Sequence, residues 1–265
     1  MKTAVVAPRF ERWLRPPDTS TNFIHARKEC HEGSGQWLLN STAFNEWKHG
    51  GPRRHLWLHG LAGCGKTVLS ATIVDHLQKM EESRDCVILE FYFDFSDMAK
   101  QKIDGALRSL VFQLYNLGLH PKDLDRLYES HRDGQRQPDT LALTNCLYSM
   151  MKSSKTTTYI ILDALDECGE RKELLQWMNG LFAMPDLSHV HLIATSRPEE
   201  EFRRRIPQWL GEECCLPLDK KAVDVDIRSY VTATLEQNQD FVDKQLSQDL
   251  LERICKRIGD GADGM

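Results

Sequence analysis

A parallel α/β sheet with helices on both faces is the fold class this 265-residue sequence predicts, and three observations carry the prediction. From residue 55 onward, short apolar stretches of strand length alternate with longer amphipathic stretches of helical period. The first strand stretch, HLWLH, breaks into GLAGCGKT and then resumes as a helix. A later one, TYIILD, ends on Asp163. That is the edge where open α/β sheets place their ligands.

The elements follow in order. Residues 1–25 carry RPPD and few periodic apolar positions, which predicts an extended arm lying on the domain or a disordered one. Trp37, Leu38, Leu39, Phe44 and Trp47 then cluster at near-helical spacing, as a short helical unit at the edge of the core. Strands are predicted near 55–59, 87–93, 157–162, 190–195 and 213–218, with helices near 66–80, 101–117, 141–153, 170–182 and 199–208. Residues 26–218 form the main domain on this reading. The segment 219–265, with Val223, Ile227, Tyr230, Val231 and Leu235 at helical spacing, begins a helical subdomain.

The glycine break fits G-x-x-x-x-G-K-[ST], with Gly60, Gly65, Lys66 and Thr67 at the specified positions and Gly63 between them. This is the P-loop pattern. Glycines let backbone N–H groups turn inward around an anion, and the helix that follows adds its positive end. Lys66 is expected to reach the β- and γ-phosphates and the Thr67 hydroxyl to ligate Mg²⁺. Cys64 and Val68 complete the cradle. Cys64 lies beside Lys66 and a helix start, where a thiol can become acidic, but the loop asks for no particular side chain there.

A phosphate loop needs an acid to become a nucleotide site. Asp163 supplies it, holding Mg²⁺ opposite Thr67, and Asp166 and Glu167 follow within one loop. Three carboxylates this close repel unless a cation or hydrogen bonds compensate. A third strand, VHLIATSRPEEEF, ends in Thr195, Ser196 and Arg197, with Pro198 opening the next helix. Arg197 is a candidate for contacting the γ-phosphate or orienting water, against the plainer reading of a surface ion pair.

Composition excludes several classes. A net charge of −5 argues against general nucleic-acid binding. No apolar run approaches the roughly 20 residues of a membrane span. The eight cysteines contain no C-x-x-C pair, as expected of reduced thiols inside the cell.

Together GLAGCGKT, ILDALDEC and ATSRPE, with WLRPPDTSTN, EGSGQWLL, FYFDFSD, LRSLVFQL and the terminal GADGM, give the chain a family likeness. From about Trp13 to Met265 it resembles the NACHT domain of fungal NOD-like receptors of the STAND class. Asp163, Ala164, Asp166 and Glu167 match that family's acidic strand. The resemblance implies strand order 5-1-4-3-2, with the Arg197 strand between the phosphate-loop strand and the Asp163 strand. It further implies a cytoplasmic signalling switch in fungal immunity or incompatibility, inactive with a nucleoside diphosphate and opened by the triphosphate to oligomerise. Because related sequences continue past GADGM, the chain is expected to be a truncated product or an expressed fragment.

Many P-loop ATPases with an inserted strand carry glutamate directly after the magnesium aspartate, whereas this chain has Ala164. The role of base then passes to Glu167 or Asp166, with the longer Glu167 favoured, and hydrolysis is expected to be slow. Two other readings stand beside it: a scaffold that binds nucleotide and hardly hydrolyses it, and a small-molecule kinase, which the placement of the arginines disfavours. No Asn-Lys-x-Asp guanine signature occurs, which tilts the nucleotide toward ATP/ADP without excluding GTP.

Overall fold

The computed structural model describes residues 8–31, 33–81, 86–237, 241 and 246–261. Five strands, β1 (His55–His59), β2 (Cys86–Tyr92), β3 (Thr157–Asp163), β4 (Val190–Ser196) and β5 (Cys215–Pro217), form one sheet in the order β2-β3-β4-β1-β5. Every pairing is parallel. Read from the other edge this is 5-1-4-3-2, as expected, with β4 inserted between β1 and β3. The register sets Leu58 beside Thr195 and Leu162 beside Ala194, so the carboxyl ends of the three central strands share one edge.

Strand alternation divides the core into two faces. Trp57, Leu89, Phe91, Ile160, Leu162, Leu192 and Ala194 point to one face. There they meet α6 (Ile103–Asn116), α7 (Pro121–Ser130), α8 (Thr140–Ser153), α9 (Arg171–Phe182) and α10 (Glu200–Leu210). Leu56, Leu58, Tyr159, Ile161 and Ile193 point to the other face, onto α3 (Gln36–Leu39), α4 (Thr42–Lys48) and α5 (Lys66–Glu81). β3 and β4 are buried on both faces, which is why their middles, YIIL and LIA, read as apolar runs without alternation.

The N-terminal expectation needs correction. Residues 8–25 are not an extended arm: α1 (Pro8–Leu14) and α2 (Ser20–Glu29) are helical, while residues 1–7 lie outside the described residues. α1 is too short for periodicity to reveal, and tertiary packing holds it. Phe10 and Leu14 are fully buried, and Phe10 and Trp13 meet Tyr128 edge to face. The Trp13 indole donates to the Arg136 carbonyl at 2.8 Å.

The aromatic cluster of 37–47 resolves into α3 and α4, the latter capped by Ser41, whose hydroxyl accepts from the Phe44 amide. α7 is a helix beyond those the sequence predicts: Pro121 opens it and Leu124 and Leu127 bury one face. The C-terminal segment contains α11 (Lys220–Gln237) and α12 (Gln248–Gly261). The end of GADGM, residues 262–265, lies outside the described residues. Among the described residues no helix is long and apolar enough to cross a membrane.

Candidate nucleotide site

β1 delivers the chain to the loop 60–65, and α5 begins at Lys66. Gly63 and Gly65 take φ of 77° and 79°, the left-handed region that turns backbone amides into a concave nest. A Cβ at Gly65 would meet nothing within 4 Å, so backbone conformation, not crowding, selects glycine there. Gly60 is glycine for a different reason: a Cβ would lie 2.6 Å from the Cys64 sulfur. Cys64 is itself buried, packed with Leu69 and Leu218 beneath the loop. The Lys66 ammonium donates to the carbonyls of Gly60 at 3.0 Å and Leu61 at 2.6 Å, which holds it across the loop.

Asp163 sits at the end of β3 and is 1 % exposed. Three hydroxyls donate to its carboxylate: Thr67 at 2.7 Å, Ser70 at 2.7 Å and Thr195 at 2.6 Å. The sequence reading paired Thr67 with Asp163 and missed the other two. Ser70 lies three residues beyond Thr67 on the same face of α5, a spacing legible in the sequence. Thr195 was named only as a polar strand end; its hydroxyl also accepts from the Ala164 amide at 3.0 Å. Burial pushes the Asp163 carboxyl above the ordinary range, opposed by the three hydroxyls and the Lys66 charge.

The two other acids take separate partners. Asp166 accepts from the Arg197 backbone amide at 2.8 Å and pairs with the Arg197 guanidinium at 3.2 Å. Glu167 accepts from the backbone amide of Phe95 at 2.9 Å. Burial raises its pKa, the neighbouring carboxylates of Asp166, Asp94 and Asp163 raise it further, and the Phe95 amide opposes them. Thus Arg197 is drawn onto Asp166. Ala164, with φ of 56°, makes the left-handed turn that redirects the chain from β3 into this acidic loop.

A cavity of about 220 Å³ opens beside the phosphate loop. Gly63, Cys64 and Val68 line it on one side and Val223, Asp226 and Tyr230 of α11 on the other. Asp226 ties α11 to the main domain, accepting from the Gly35 amide at 2.9 Å and the Trp37 indole at 3.2 Å.

Residues 33–197, the span that holds the loop, Asp163 and Arg197, match the family model described as Nephrocystin 3, N-terminal. The chain belongs to that family. The vegetative incompatibility protein HET-E-1 of Podospora anserina is 29 % identical over 139 residues, which is 50 % of this chain and 10 % of that protein. The chain therefore spans about a tenth of the length of this relative. These two matches bear out the likeness to a fungal NACHT-type NOD-like receptor module.

Among solved structures, Cdc6p from Pyrobaculum aerophilum aligns at TM-score 0.51 and 12 % identity, covering 93 % of this chain and 58 % of that one. At that identity the likeness shows a shared P-loop fold alone. Domain III of the Thermotoga maritima replication initiation protein DnaA aligns at TM-score 0.43 with 16 % identity, covering 92 % and 84 % of the two chains.

Proposed function

We propose that this member of the nephrocystin 3 N-terminal family is a nucleoside triphosphate-binding signalling switch with slow, Mg²⁺-dependent hydrolysis. The observation that carries the reading is the meeting of the Thr67 hydroxyl with the buried Asp163 carboxylate at 2.7 Å, directly behind a glycine nest and Lys66. An oxygen-only pair of this kind suits a small hard cation. Thr67 and Asp163 would hold Mg²⁺, which when bound offsets charge on the phosphate oxygens. Gly60, Gly63, Cys64, Gly65, Lys66, Thr67 and Val68 bind the phosphates on this reading. The cavity between Val68 and α11 seats the nucleoside, with ATP/ADP preferred and GTP not excluded.

Glu167 is the proposed base. Arg197 already occupies Asp166, which leaves Asp166 and Arg197 the task of shaping the loop. The engagement of both acids, together with Ala164 in place of a glutamate, supports slow turnover, and it also favours the second reading, a scaffold that binds and hardly hydrolyses. Residues 26–218 are proposed as the nucleotide-binding domain and 219–265 as a partial helical subdomain closing over the cavity. Cytoplasmic placement and self-oligomerisation of the full-length receptor follow from the signalling role.

Thermal unfolding with and without nucleotide tests the site. At ligand about 100-fold above Kd the native chain should gain about 2.7 kcal/mol. Lys66→Ala should gain nothing measurable, since it removes the charge aimed at the β- and γ-oxygens. Equal stabilisation of the variant by Mg²⁺-ATP would overturn the assignment, and single-turnover hydrolysis separates the switch from the scaffold.

A further inference from the structure

The Glu167 carboxylate accepts from one backbone group among the described residues, the Phe95 amide. That amide belongs to the segment between β2 and α6, residues 93–102, which is anchored at Phe93 in the core but exposes its middle: Phe95 is 71 % exposed and Met98 81 %. Beyond Phe93 the contacts that fix the segment are polar. Phe93 donates its amide to the Asp163 carbonyl at 3.1 Å, and the Gly169 amide donates to the Gln101 carbonyl at 2.8 Å, so the segment runs along the acidic loop. Its middle is held from outside by a residue of α2. The Asn22 side-chain amide donates to Asp94 at 3.0 Å, and its oxygen accepts from the Lys100 ammonium at 2.6 Å.

Lys100 is 4 % exposed, and an ammonium so buried needs every acceptor it has. Asn22 and Thr21, the latter at 3.1 Å, supply two from α2, and Asp97 lies at 3.8 Å. Asn22 thereby clamps the segment on both sides of Phe95 with one side chain. On the other side α6 lies hard against it, because a Cβ at Gly105 would come within 2.1 Å of the Ala99 carbonyl.

We propose that Asn22 is a positioning residue for hydrolysis: by fixing Asp94 and Lys100 it sets the Phe95 amide, and through that amide the orientation of Glu167. The role rests on the reading of Glu167 as the base. It makes Asn22 a handle on turnover that leaves affinity untouched, since neither it nor Asp94, Phe95, Lys100 or Glu167 lies in the phosphate loop or the cavity beside it.

The test is a double-mutant cycle with Asn22→Ala and Glu167→Gln, read by single-turnover hydrolysis of labelled ATP and by nucleotide Kd. Asn22→Ala is expected to lower turnover about tenfold, to keep Kd within about twofold, and to add no further loss in the Glu167→Gln background, because both act through one carboxylate. Hydrogen exchange of the Phe95 amide should quicken in Asn22→Ala. Gly105→Ala, which presses a methyl into the Ala99 carbonyl from α6, should reproduce the split between turnover and affinity. Losses that multiply in the double variant, parallel loss of affinity, or unchanged turnover in Asn22→Ala would each overturn the role while Lys66-dependent binding stands. A native chain that binds ATP and never turns it over would overturn the hydrolytic reading and this role together.

Discussion

Glu90 lies on β2, on the strand face shared with Tyr92, whose hydroxyl donates to it at 3.2 Å. Burial pushes its carboxyl up from 4.5 to about 7, with the Tyr92 hydrogen bond opposing. Because the folded value lies above the unfolded one, the native chain holds more protons between those two pH values. Stability from this group is then complete below about pH 4.5 and is lost as pH rises to about 7. The loss is on the order of 3 kcal/mol by linkage. Glu90→Gln removes the titration, so its stability relative to the native chain should grow by about that much between pH 4.5 and pH 8. Urea denaturation at the two pH values reads it; a constant difference would show that Glu90 is not buried as an acid. Nothing in the alternation of CVILEFY distinguished this glutamate from a solvent-facing one, since burial of its face depends on the packing of helices over the sheet.

α11 is joined to the main domain through Asp226, whose two bonds reach Gly35 and Trp37 in the turn before and within α3. Gly35 is buried with φ of 75°, and a Cβ there would come within 2.8 Å of Leu69, so this turn is held closely against α5. Asp226→Ala breaks two hydrogen bonds to a charged acceptor and leaves the Gly35 amide without it. The expected cost is about 1.5–3 kcal/mol. Hydrogen exchange should locate the change in α11 and in residues 33–39, with the strands protected as before. A uniform rise in exchange across the sheet would instead mark a global effect and remove Asp226 as the link. Among the elements, the long helices were legible because a wide apolar stripe marks them. α1 was obscured because seven residues are too few to show a period, and its helicity depends on what it packs against.

The sheet separates two cores, and neighbouring residues report on different ones: Leu192 faces one cluster and Ile193 the other, both fully buried. Leu192→Ala should cost about 2–5 kcal/mol and Ile193→Val about 0.5–1.5 kcal/mol. Although the two are adjacent in the chain, they share no side-chain cluster, so the double variant should equal the sum within about 0.5 kcal/mol. Equilibrium unfolding in urea decides it; a larger coupling would mean that strain passes through the backbone of β4 from one face to the other.

The fold class, the five strands and the P-loop could be read from the order of residues because each depends on local pattern: period two, period 3.6, and glycines at a turn. Gly63 and Gly65 are cases in which the backbone itself selects the residue. The strand order was legible only through family likeness, since parallel pairing brings together segments far apart in the chain, as His55 with Leu192. The partners of the acids belong to the same category. Arg197 pairs with Asp166 across 31 residues, a contact that no local pattern announces. Asn22 looked like one more polar residue in an arm. Its meeting with Asp94, 72 residues away, exists only once α2 has packed on α5, because a side-chain hydrogen bond is a matter of distance in space and leaves no period in the sequence.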